Sequence, residues 1–77
     1  MVDSDMLLEA WKSNEDLGRA LLDDWASSVS DPWDEIITLE EKRSQIESYL
    51  PLTSDEEFEE YVLLWNQLGV LYTKVGY

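Results

Sequence analysis

Apolar residues recur along this chain at helical spacing, in three blocks separated near its two prolines. In the first, Leu7, Trp11, Asn14, Gly18, Leu21 and Trp25 keep a 4, 3, 4, 3, 4 spacing, and Met6, Ala10, Leu17, Leu22 and Val29 widen the stripe. The pattern predicts one helix over residues 4–29. Asn14 and Gly18 interrupt its seam, and a helix-interior glycine costs about 1 kcal/mol against alanine. A close helix crossing at Gly18 accounts for it. The alternative is a break into two shorter helices, with Ser13 and Asp16 capping a restart. Ser27, Ser28 and Ser30 ahead of Asp31-Pro32 read as the stop.

The second block starts at Asp31, a good N-cap, followed by Pro32 in a first turn where its missing N–H costs no hydrogen bond. Asp34 and Glu35 then sit where the helix dipole favours carboxylates. Trp33, Ile36, Leu39 or Glu40, Arg43, Ile46 and Leu50 form the seam, with Ile37 beside it, and the helix is expected over 32–50 because residues before proline avoid helical geometry. Arg43 on an apolar seam either snorkels outwards with its stem packed or pairs with a carboxylate of another helix or a partner. Lys42 reads as a plain surface charge. After a Leu52-Thr53 connector, Ser54 and Glu57 form a capping box and open a third helix over 54–76. Phe58, Val62, Trp65, Leu68 or Gly69, Tyr72 and Val75 make one stripe of it, and Tyr61, Leu64 and Leu71 a neighbouring one.

Three helices on short connections run up, down and up, so the expected fold is all-α, a single domain forming an antiparallel three-helix bundle. Its core is expected from Leu7, Trp11, Leu21, Trp25, Trp33, Ile36, Leu39, Ile46, Leu50, Phe58, Val62, Trp65, Leu68 and Tyr72. That leaves a surplus. The stretch Tyr61 to Tyr72 is apolar or aromatic except at Asn66, Gln67 and Gly69, and a helix apolar nearly all round is buried on several sides or covers a partner. Ile37, Arg43, Tyr61, Leu64, Gln67, Leu68 and Leu71 are therefore the candidate partner-binding residues, with self-association as a homodimer through the same face as the competing use.

Charge and composition narrow the chemistry. The 77 residues carry 18 acids against Lys12, Arg19, Lys42, Arg43 and Lys74, a formal charge of −13. Five scattered cations make no basic patch, which argues against direct nucleic-acid binding. The absence of Cys and His removes disulfides, thiolate and imidazole ligands, and the commonest general base. Asp55, Glu56, Glu57, Glu59 and Glu60 cluster, but without the alternating ligands and central glycine of a calcium loop. No cofactor or metal is expected, and no enzyme. No run of about 18 apolar residues is present, and the Met-Val-Asp-Ser-Asp start has no basic leader, so the expectation is a cytoplasmic protein away from membranes.

The segment Asp31-Pro-Trp33-Asp34-Glu35-Ile-Ile-Thr-Leu39-Glu40-Glu41-Lys-Arg43-Ser-Gln-Ile46 resembles the FliT family of flagellar export chaperones, over about 20 residues closely and in the helical layout loosely. Trp33, Leu39 and Arg43 match its motif. The resemblance implies a small protein that holds an aggregation-prone flagellar client, the filament-cap protein, for type III export. Family members carry a further C-terminal helix that regulates access to the binding surface, and no counterpart follows the third helix here, which puts a regulatory role in doubt. The expected mechanism is helix-in-groove capture across the second and third helices, with surrounding acids favouring a basic client. An acidic inhibitor that imitates nucleic acid is the alternative, and it requires carboxylates in rows on one face.

Overall fold

The computed structural model describes residues 2–51 and 54–76; the expected Leu52-Thr53 connector lies outside them. Within the described residues the chain is all-helical, with α1 at Ser4–Ser13, α2 at Glu15–Ser28, α3 at Pro32–Glu47 and α4 at Asp55–Lys74. There are thus four helices where three were expected. The predicted first helix breaks at Asn14, whose extended backbone (φ −159°, ψ 110°) ends α1 and begins α2. Its backbone N–H donates to Ala10 O at 2.8 Å, while its side-chain Oδ1 accepts from Asp16 N at 3.0 Å and Leu17 N at 3.4 Å. One residue caps both helices, a role expected instead of Ser13.

The other caps follow the sequence. Asp3 accepts from Met6 N, Asp31 from Asp34 N with Pro32 in the first turn, and Ser54 from Glu57 N. Helix α3 ends at Glu47 rather than reaching 50.

The break folds α1 back towards α2, and Gly18 permits it. A Cβ built there would stand 2.8 Å from Trp11 Cα and 2.8 Å from a carbon of its indole ring, closer than any real side chain tolerates. The expected close approach at Gly18 is therefore present, but inside one broken helix. Long-range pairs give the layout. Lys12 of α1 meets Glu56 at the start of α4, and Lys74 at the end of α4 donates to Ala26 O and Val29 O at the end of α2. Glu40, Arg43 and Glu47 of α3 meet Tyr72, Trp65 and Tyr61 of α4 in reverse order. So α1 and α3 run against α4, α2 runs with it, and α4 is the helix on which all three others pack.

The core is built from Leu7, Trp11, Leu22, Trp25, Ala26, Ile36, Leu39, Ile46, Leu63, Leu64, Leu68 and Leu71. This corrects the expected face of α4. Leu64 and Leu71, expected outside, are 2% and 0% exposed, while Phe58 and Trp65, expected inside, are 56% and 46% exposed. Trp33 and Leu50 are also half-exposed, whereas Leu21, Val62 and Tyr72 pack at the edge of the core.

Two ion pairs fit this rotation of α4. Glu56 and Glu60 lie at the head of the leucine stripe, where Lys12 and Lys42 reach them at 3.0 and 3.2 Å. Lys42 thus ties α3 to α4 instead of standing as a plain surface charge. Helical spacing puts Asp55 and Glu59 on the side of Val62, next to Phe58, so turning the aromatic stripe inwards would carry those carboxylates towards the core at a desolvation cost.

Candidate protein-binding face

Helical spacing places Trp33, Ile37, Glu40, Ser44 and Glu47 on one flank of α3. The contacts that Glu40, Arg43 and Glu47 make with α4 lie along this flank, so it continues into the aromatic side of α4. Tyr61 donates its hydroxyl to Glu47 Oε2 at 2.7 Å and meets Trp65 edge-on, with ring centroids 6.2 Å apart and planes at 83°. Tyr72 donates to Glu40. Between these two bonds the Arg43 guanidinium lies over the Trp65 ring, 4.8 Å from its centroid.

Arg43 does not make the expected pairing with a carboxylate of another helix. Its side chain is largely covered, and its ion pair is with Glu47 of its own helix, Nε to Oε1 at 3.9 Å, too long for a hydrogen bond. No forked carboxylate bond forms. Stacking on Trp65 is the closer contact, and guanidinium over an exposed indole contributes about 0.5–1 kcal/mol. It also holds the Trp65 ring in place at the surface.

Beyond Trp65, the outward side of α4 stays apolar because its polar side chains turn back onto their own helix. Asn66 Nδ2 donates to Val62 O at 2.8 Å and Thr73 Oγ1 to Gly69 O at 3.0 Å. At Gly69 a shallow hollow of about 340 Å³ opens between Trp65, Asn66, Val70 and Thr73. Nothing stands within 4 Å of the place a Gly69 Cβ would take.

Of the residues expected to contact a partner, Ile37 is exposed on this flank, and Arg43 and Tyr61 lie along it half-buried. Leu64, Gln67, Leu68 and Leu71 are buried in the core and offer no surface, a correction that follows from the rotation of α4. Trp33, Phe58 and Trp65 are the exposed aromatics that the sequence reading assigned to the core. Their signal was present in the acids beside Phe58.

Among the described residues no three His, Cys, Asp or Glu side chains gather where a metal ion could be held, and no helix is long and apolar enough to cross a membrane. Lys12 titrates above its ordinary range. The hydrogen bond to Glu56 raises its pKa above the usual 10.5, against a smaller opposing effect of desolvation. The chain matches no family model, and neither a curated protein nor a solved structure shows significant similarity to it.

Proposed function

We propose that the protein binds a segment of another protein along the aromatic flank of α3 and α4, in the manner of the flagellar export chaperones that its Trp33, Leu39 and Arg43 pattern resembles. The observation that carries the reading is the half-exposed pair Phe58 and Trp65, continued by Ile37 and Trp33, on a chain of 77 residues. Large exposed aromatics near the centre of a surface are the side chains that anchor interfaces. Within the resembling motif, Leu39 is a core residue, while Trp33 and Arg43 lie on or beside this flank.

Charge sets the chemistry of the client. A chain at −13 with Glu40 and Glu47 bordering the flank favours a segment that pairs apolar anchors with Lys or Arg, and disfavours acidic ones. A helix laying anchors three or four residues apart along Ile37, Trp65 and Phe58 fits this shape. A flagellar filament-cap protein is the client that the resemblance suggests.

The test is calorimetric titration with purified filament-cap protein at moderate salt. Tight binding that weakens at least tenfold in Trp65→Ala and Phe58→Ser, with the helical content unchanged, supports the reading. Absence of binding removes the flagellar client. Binding indifferent to both substitutions removes the flank, and binding that collapses with added salt points to a purely electrostatic mimic of nucleic acid.

A further inference from the structure

We infer that the seat of α1 accepts α1 from a second copy of this chain, with Asn14 straightening so that α1 and α2 become one helix and two chains exchange their first helices. The seam is the first argument. The buried residues on either side of the break, Leu7, Trp11, Gly18, Leu22 and Trp25, keep spacings of 4, 7, 4 and 3, which is the register of one uninterrupted helix with a single apolar stripe. A chain that needed the corner in every state has no use for that continuity. In the bent form the two arms cover each other. In the straight form the α1 half of the stripe has no cover left within its own chain, and an identical stripe from a second copy fits it by symmetry.

The hinge is the second argument. The corner is one residue long, and short hinges invite exchange because the closed contacts are remade between chains while only the hinge changes conformation. Straightening Asn14 gives up two cap bonds, to Asp16 N and Leu17 N. It restores helical bonds to the same donors.

The seat itself is the third. Under α1 a cavity of about 60 Å³ remains, lined by Ser4, Asp5 and Leu8 of α1 against Leu39, Leu63 and Gln67. Gln67 is 5% exposed there, the one buried polar side chain among the described residues. The fit of α1 is thus incomplete, which lowers the barrier to its release. Opposing the exchange is the charge of −13 on each chain, so the exchanged pair gains from salt. This inference is independent of the client-binding flank, which lies on the other side of the α3–α4 pair and stays open in either form.

Asn14→Ala and Asn14→Gly separate the two states. Alanine removes the cap and favours the straight helix, whereas glycine keeps most of the capping preference and disfavours the helix interior. With two hinges per pair, Asn14→Ala should raise the dimer association constant on the order of a hundredfold over wild type in about 0.5 M salt, read by light scattering after size exclusion. Asn14→Gly should stay monomeric. The Lys12–Glu56 ion pair at 3.0 Å supplies the topology, because a carbodiimide joins such a pair as a direct amide. After mixing light and heavy-isotope chains through an unfolding cycle, exchange places half of the Lys12–Glu56 links between light and heavy peptides. A monomeric Asn14→Ala overturns the inference, and so does a dimer in which every such link stays within one isotope. Wild type at high concentration and salt carries the same isotope readout should the alanine variant fail to fold.

Discussion

Helix α4 has two apolar faces with opposite fates. Its leucines, Leu63, Leu64, Leu68 and Leu71, are sealed among three other helices, and its aromatics, Phe58 and Trp65, stand half in solvent. Periodicity cannot rank the two, since both recur at helical spacing. What separates them is their company: lysines of α1 and α3 meet the acids at the head of the leucine face, and unpaired burial threatens the acids beside the aromatic face. Apolar area alone therefore does not choose a core.

The contrast is sharpest by truncation on each face. Leu71→Ala removes a fully buried side chain and should cost about 2–5 kcal/mol of unfolding free energy, whereas Trp65→Ala, although a larger deletion, should cost only about 1–2 kcal/mol because half of the ring is already in water. Equal losses in chemical denaturation would mean that the aromatic face is packed too.

The glycines repeat the comparison at one methyl group. Gly18→Ala drives a Cβ into Trp11 and should cost about 1–3 kcal/mol. Gly69→Ala meets open space and should add about 0.5–1 kcal/mol of stability. A thermal melt of each settles the signs.

Arg43→Lys tests how the aromatic side is held. It keeps the charge but loses the flat stack on Trp65, for an expected cost of about 0.5–1 kcal/mol and a change in Trp65 emission. An unchanged spectrum would show that the stacking does not fix the ring.

The smallest effect belongs to the leucine side. The folded pKa of Lys12 is raised, so its pairing with Glu56 contributes fully below the usual 10.5 and is lost as pH rises through the raised value. Lys12→Met should therefore lower the melting temperature slightly at neutral pH and make no difference in strong alkali. A deficit that persists there would trace to packing instead.

Helix positions and caps were legible because they depend on neighbours in sequence: Asp31, Pro32 and Ser54 mark their helices by local hydrogen bonding alone. Gly18 was legible as a close approach, since a glycine on a seam has few other reasons to be there. The corner was not, since one unbroken helix over 4–29 was expected and a break stood only as the alternative. Ser13, Asn14 and Asp16 all suit a cap, and only the path of the chain selects Asn14. The site was read in part, with Ile37, Arg43 and Tyr61 placed on or along the flank. Leu64, Gln67, Leu68 and Leu71 failed with the rotation of α4, a tertiary outcome that depends on where Lys12 and Lys42 end up.

The tryptophans give the molecule its own optical instrument. Trp11 and Trp25 are sealed, at 2% and 4% exposure, while Trp33 and Trp65 are half-open at 50% and 46%. Emission from the first pair should be blue-shifted and shielded from acrylamide, and emission from the second red-shifted and readily quenched. A partner settling on the flank would shield only the second pair, and loosening of the core would first unmask the other. Occupancy and unfolding can thus be followed in one unlabelled sample, as two separable changes in the same spectrum.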